Sequence, residues 1–309
     1  MIKKSLLSLF FLINYNIFSQ IDSCLEVTIN NLQNKKNQLN YTCLSIEIEQ
    51  LYLFENKKQN YFFPYVNTLY LYGLKNNFLP TEIKLGNKIE NLYIESITNG
   101  FKFKFVEFSK YNSIKFLKIP LIDSQSLSEI DSLNNLKELY ILSDEKTGYI
   151  RINNFKFYQN LRGLILSIPE YDFFDLSTIS SNFIDSVSLD VKSVKKGSKI
   201  DFEKFQHLQV LQFNSLNKIN FDTIFTNVDK SNLTCLYSFN ELNIFPECLM
   251  KFKHLKSINL NFTDLDMIIK SILKLNPQIE LNISTHKISI ANKNKIESHF
   301  KLSHINLLK

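Results

Sequence analysis

Leu136-Lys137-Glu138-Leu139-Tyr140-Ile141 and Leu161-Arg162-Gly163-Leu164-Ile165-Leu166 carry one phrase: an apolar residue, two others, an apolar residue, one other, an apolar residue. The period-two alternation that ends the phrase marks a strand with one buried face. Its middle apolar residue serves as a marker, and thirteen are found: Val27, Ile46, Leu69, Leu92, Leu117, Leu139, Leu164, Val187, Leu211, Leu236, Ile258, Ile279 and Ile305. Successive gaps run from 19 (Val27 to Ile46) to 26 (Ile279 to Ile305). One strand at each such interval predicts a stacked repeat chain, in which every copy buries its apolar face against its neighbours.

The best single copy is Leu255-Lys256-Ser257-Ile258-Asn259-Leu260 followed by Thr263 and Leu265, and Asn240 to Pro246 reads as the turn after a strand. On these residues the chain resembles the leucine-rich-repeat family from about Cys24 to the C-terminus. The resemblance implies an α/β solenoid: a curved stack, a parallel sheet on the concave face, short helices and turns on the convex face. No Pro/Gly/Ser linker interrupts it, so residues 20–309 are expected to form a single domain of about 13 degenerate repeats. The departure is the family's asparagine ladder, whose site falls on Leu74, Ile97, Ile122, Asp144, Pro169, Lys192 and Leu216. Backbone groups that an Asn would satisfy must find other partners, and irregular turns are expected there.

Between strands the connectors are short. Leu265, Ile268, Ile269, Ile272 and Leu273 fit one face of a helix from about Leu265 to Leu275, with Asp264 as its cap. Ser126-Leu127-Ser128-Glu129 has the spacing of a capping box. The polar run Lys192 to Ser198 is read as a surface loop.

Composition narrows the functional classes. The 309 residues are 44% hydrophobic, with 27 Phe, 14 Tyr, 6 Gly and 6 Pro, which excludes a disordered or collagen-like chain. The net charge of +6 includes Lys3 and Lys4, and Arg151 and Arg162 are the chain's arginines. Lysines spread among 30 acidic residues make a mixed surface rather than the basic stripe of a nucleic-acid reader.

Met1 to Ser19 reads as a secretory signal: Lys3 and Lys4, the apolar run Leu6 to Ile13, then Ile17-Phe18-Ser19-Gln20. The ending resembles signal peptides of the Bacteroidetes, with cleavage before Gln20, although Ile17 departs from the small-residue preference. The run is too short for a permanent transmembrane span. The expected address is secreted, periplasmic or cell-surface. A lipid anchor at Cys24 is the alternative, against which stands Asp22 in a poorly fitting lipobox.

Four cysteines in an exported chain point to disulfides. Cys24 and Cys43 hold equivalent places in the first two phrases, which puts them within bridging range if their strands are neighbours. The alternative is a pair of small buried hydrophobes. Cys235 and Cys248, separated by a strand and a turn, are the weaker pair. None has the CxxC spacing of a zinc site. His207 and His254 each precede the opening Leu of a phrase, while His286, His299 and His304 lack ligand partners at metal spacing. No P-loop, GxGxxG, GxSxG or HExxH motif occurs, so no catalytic residue, metal or cofactor is assigned.

The residue between the last two apolar marks of each phrase points away from the core. In order these are Thr28, Glu47, Tyr70, Tyr93, Lys118, Tyr140, Ile165, Ser188, Gln212, Tyr237, Asn259, Glu280 and Asn306, with Tyr72, Phe116 and Leu142 in flanking columns. Tyr70, Tyr72, Tyr93, Phe116, Lys118, Tyr140 and Leu142 are the candidate ligand-binding residues. Tyrosine offers a broad apolar face with a polar tip. The competing reading is that aromatic residues are simply good strand formers. The expected role is non-enzymatic binding of a protein or peptide, with a cell-surface glycan-binding or adhesion module as the alternative. On this reading the tyrosines are open to solvent and contribute to binding rather than stability.

Overall fold

The computed structural model describes residues 25–26, 42–47, 61–72, 83–85, 89–94, 113–120, 133–142, 160–168, 183–215 and 219–308. The signal segment Met1 to Ser19, Cys24 and the Ser126 capping box lie outside them. The chain divides into two compact units, Met1–Ile122 with Ser128–Asn135 and Asp123–Leu127 with Leu136–Lys309.

In the first unit β1 (Leu25–Glu26), β2 (Cys43–Glu47), β3 (Tyr61–Phe63), β4 (Thr68–Tyr72), β5 (Ile83–Leu85), β6 (Asn91–Ile94) and β7 (Phe116–Pro120) follow in sequence. β1, β2, β4, β6 and β7 lie side by side in that order, all parallel. β3 and β5 pair separately. Leu69, Leu71, Leu92, Ile94, Leu117 and Ile119 alternate into the core at 2% exposure or less.

The second unit contains β8 (Glu138–Leu142), β9 (Gly163–Ile168), β10 (Ser186–Val191), β11 (Ile200–Asp201), β12 (Val210–Ser215), β13 (Phe225–Thr226), β14 (Cys235–Leu242), β15 (Ser257–Asp264), β16 (Glu280–Lys287) and β17 (Leu302–Leu307). Apart from the small β11–β13 pair, these strands stack in chain order. Their pairings are parallel. Parallel neighbours require a crossover for every strand, and the connecting segments supply it. The fold is an α/β solenoid of the leucine-rich-repeat kind.

Nine of the thirteen markers, Leu69 to Ile258, sit on their strands as expected. Within each unit the strand registers set Leu69 on Leu92 on Leu117, and Leu139 on Leu164, Val187, Leu211, Leu236 and Ile258 in turn. The outer markers slip by two residues. Leu44 rather than Ile46 meets Leu69, and Ile258 meets Leu281 rather than Ile279. Ile305 pairs with Ile283, so Ser303 takes the last marker level. Leu25 is the partner of Leu44, and Val27 lies outside the described residues. A slip of two keeps every side chain on its face, which is why the alternation alone did not reveal it.

A repeated backbone contact sets this register. Two residues before the marker, one carbonyl accepts the N–H groups of two consecutive residues of the next coil. Thr42 receives Asn67 and Thr68, and Asn67 receives Glu90 and Asn91. Lys137, Arg162, Asp185, Gln209 and Thr234 repeat the pattern at 2.7–3.1 Å.

Behind the sheet the connectors are helical or turned. Helix α1 (Phe221–Ile224) is capped by Asn220, and α2 (Leu265–Ile272) by Asp264, whose carboxylate accepts the Asp266 N–H at 3.0 Å. The capping residue and apolar face are those expected, with the helix ending at Ile272. Helix α3 (Ile290–His299) begins at Ser289 and buries only Ile296. Wide Phe side chains fill the second unit: Phe202 meets Phe225 and Phe252 edge-on at 5.4 and 5.2 Å, and Phe221 stacks on Phe225 at 4.9 Å. The Lys192 to Ser198 run is a loop, with Lys195, Lys196 and Gly197 exposed. Gly197 stands at φ +82°, where a side chain would be strained.

The missing asparagine ladder is replaced one position earlier. Ser215 donates its hydroxyl to the Lys192 carbonyl at 2.9 Å, and buried Asn240 accepts the Ser215 N–H at 2.8 Å while donating to the Ser215 carbonyl. Of the ladder positions where irregular turns were expected, Leu74, Ile97, Ile122, Asp144, Pro169 and Leu216 lie outside the described residues; within β14 the register to β15 shifts between Tyr237 and Glu241.

Leu139 is 1% exposed. Leu139→Asp, which drives a charge into this core, is expected to destabilise the chain by more than about 3 kcal/mol in denaturant melts. Asn240→Ala removes two hydrogen bonds to the Ser215 backbone and should cost about 2 kcal/mol by the same measurement.

Candidate functional site

On the sheet side away from the core, the register aligns Ser45, Tyr70, Tyr93 and Lys118 in the first unit. In the second it aligns Tyr140, Ile165, Ser188, Gln212, Tyr237, Asn259, Asn282 and His304. Glu47, Glu280 and Asn306 leave this column through the two-residue slip and stand in flanking ones. Ser45, Asn282 and His304 replace them, and Thr28 lies outside the described residues.

The first-unit aromatics do come together, but as a packed ladder. Tyr70 and Tyr93 stack at 4.3 Å between ring centres and 11° between planes. Phe116 follows on Tyr93 at 4.8 Å, tilted by 33°. Tyr70 and Tyr93 are register partners on adjacent strands, so their spacing approximates the ~4.8 Å between strands, whereas Phe116, the partner of Asn91, reaches Tyr93 from the flanking column. Cys43 and Tyr72 pack against the cluster. Tyr70 is 0% exposed, Tyr93 6% and Lys118 9%. The expectation that these residues form an open contact surface is therefore corrected. A ring face covered by another ring offers no surface to a ligand, and Tyr70 and Tyr93 hold this end of the sheet together.

The second unit keeps its candidates half-exposed. Tyr140 and Leu142 on β8 and Ile165 on β9 form a small apolar surface. Gly163 is fully packed: a Cβ there would stand 3.3 Å from Glu138 Cγ and 3.4 Å from Ser186 Oγ, so the missing side chain lets the Glu138 stem lie down. Partial burial raises the Glu138 carboxyl above its ordinary pKa. Burial also raises Asp190, offset in part by the Ser167 hydroxyl that donates to it at 3.4 Å. The place of both carboxylates on the strand face is legible from the alternation of the sequence; their desolvation is not. Further along, Glu241 meets His286 at 3.5 Å, an exposed contact that is ionic only when the histidine is protonated.

The cysteines separate into two kinds. Cys43 is disulfide-bonded, and its expected partner Cys24 lies outside the described residues. Cys235 and Cys248 are both free and buried, which corrects the weaker expected pair. Cys235 alternates with the core residue Leu236, on the same side of β14 as Tyr237. Cys248 lies in a 3-10 helix (Glu247–Lys251) and lines a cavity of about 590 Å³ with Phe225, Val228 and Asp222. Burial first, then the neighbouring Asp222 carboxylate, pushes its thiol well above the usual range and away from nucleophilic reactivity. Among the described residues no group of three or more His, Cys, Asp or Glu could hold a metal ion.

No family model and no curated protein matches the chain. Among solved structures, an internalin (inlF) from Listeria monocytogenes str. 4b F2365 is similar at 12% identity and a TM-score of 0.43, covering 84% of this chain and 71% of that one.

Tyr93→Ala removes a ring that two others pack against. It is expected to destabilise the chain by about 3 kcal/mol in a chemical melt, the lower end of the range for a buried aromatic. Thiol titration under native conditions should find almost no reactive sulfhydryl, since Cys235 and Cys248 are buried. In denaturant without reductant two should appear.

Proposed function

We propose that this is an exported, non-enzymatic binding protein that takes a protein or peptide on the outward face of its parallel sheet, around β8 and β9. The observation that carries this reading is the half-exposed apolar surface of Tyr140, Leu142 and Ile165, set on rigid strands rather than loops. Tyr140 and Leu142 retain the ligand-binding role expected of the whole aromatic band, and the buried ladder of Tyr70 and Tyr93 does not share it. The glycan alternative rested on open tyrosine rings, and in the first unit the rings face each other.

Export is supported by the disulfide at Cys43, since such bonds persist in oxidising compartments. Among the described residues no helix is long and apolar enough to cross a membrane. The mature chain is inferred to begin at Gln20, with secreted, periplasmic or cell-surface placement. Cys24 is the inferred partner of Cys43, because the two hold equivalent places in the first two phrases of the sequence.

A photo-crosslinking residue at position 142 or 165 should capture a protein partner in native envelope extract, whereas one at position 195, in the exposed loop, should not. Equal capture at all three positions would remove the sheet face from the account. N-terminal sequencing of secreted protein should start at or near Gln20; a lipid-modified Cys24 would replace export by anchoring.

A further inference from the structure

The charge on the second unit's outward face runs against that of the chain. The full sequence carries 36 Lys and Arg and a net charge of +6. Yet the outward positions of β8, β9, β10, β12, β14, β15, β16 and β17 contain neither Lys nor Arg, while Glu138, Asp190, Glu241 and Glu280 stand among them. Cations are plentiful close by: Lys137, Arg162, Lys256 and Lys301 are exposed just before their strands. Those side chains are placed off the face, and Arg162 is held by the Phe183 carbonyl at 2.8 Å.

Two of the carboxylates flank the apolar surface. Glu138 is on β8 with Tyr140 and Leu142, and Asp190 is on β10, one strand beyond Ile165 and Ser167. Neither is ion-paired among the described residues: the Ser167 hydroxyl is the neighbour of Asp190, and the Glu138 stem rests on Gly163. A partly desolvated carboxylate without a cation gains more from a new positive charge than a fully hydrated one, because the dielectric around it is lower. An apolar strip between two such groups suits an extended segment whose basic side chains reach the carboxylates while its apolar ones lie on Tyr140 and Ile165.

Building on the sheet-face reading above, we infer that the β8–β10 face selects a basic protein segment, one carrying Lys or Arg interleaved with apolar residues. The chain's overall positive charge repels such a segment at long range, so any preference for it must arise at this face. Association should therefore fall as salt screens the contact.

The test uses the full chain and three twelve-residue peptides: Lys alternating with Leu, and the same peptide with every Lys replaced by Ser or by Glu. By fluorescence anisotropy at low salt, the Lys peptide is expected to bind at least tenfold more tightly than the Ser peptide, and the Glu peptide least. The double variant Glu138→Gln, Asp190→Asn should lose that tenfold preference, and Lys270→Glu, exposed on helix α2 behind the sheet, should leave it unchanged. Thermal melts of each variant establish that it is folded. Ile165→Arg separates the two levels of the argument. If Lys and Ser peptides bind equally and both are lost in Ile165→Arg, the charge inference is overturned while the binding face stands. Unchanged preference in the Glu138→Gln, Asp190→Asn chain overturns it likewise. If no peptide binds, or if Ile165→Arg binds them all as the parent does, the sheet-face reading fails with it.

Discussion

Among the described residues, eight carbonyls each locate the coil that follows. Two residues before the marker, each such oxygen accepts two consecutive N–H groups from the following coil, as Arg162 does from Asp185 and Ser186. The contact is backbone to backbone, so it does not care which side chain stands there; Thr42, Asn67, Lys137, Arg162 and Gln209 all serve. A chain whose copies are so degenerate can still stack because its register device asks only for the right spacing of apolar residues behind it. Where the spacing fails, the device changes. Lys301 donates to the Pro277 carbonyl instead, and there the last marker level is held by Ser303.

That indifference to side chains governs how much was legible beforehand. The parallel strands of Leu69 through Ile258 followed from apolar periodicity, because each marker is also a core residue at 3% exposure or less. The outer strands defeated the same reasoning: Ile46 and Leu44 are both apolar, two residues apart and on one face, and alternation cannot choose between them. Only the neighbouring coil decides, through the Thr42 carbonyl. Helix α2 was readable from its apolar stripe and Asp264, whereas α3 was not, for it buries Ile296 and little else and owes its start to Ser289. The substitute for the asparagine ladder was hidden because Ser215 and Asn240 occupy positions one residue from where the family pattern directs attention.

The aromatic residues show how one register yields opposite roles. Side chains on the outward face recur at the strand spacing, about the distance at which aromatic rings stack. Where β4 and β6 present the register partners Tyr70 and Tyr93, ring covers ring, Phe116 of β7 joins from the flanking column, and the face closes into a second small core. Where an aromatic is followed by an aliphatic and then a small polar residue, as in Tyr140, Ile165 and Ser188, there is no ring to continue the stack. Tyr140 consequently stays half-exposed while chemically identical Tyr70 does not. A sequence reader sees the tyrosines as one band; neighbour identity in the third dimension divides them.

The same alternation sorts charge. Lys118, on the outward face of the first unit, is 9% exposed and has little room to turn away. A lysine two residues before the marker stands at the lip of the coil and extends freely into water, where its long stem keeps its entropy. Lys137, Arg162 and Lys256 occupy that lip, and their backbone carbonyls carry the register while their side chains remain outside it. The face that results is lined by short polar groups and a few carboxylates, in a chain whose total charge is positive. Solubility is thus served by the lip and the loops, which leaves the β8–β10 strand positions unconstrained by it. Glu138, lying over Gly163 with no ion-pair partner among the described residues, is the position where that freedom is plainest.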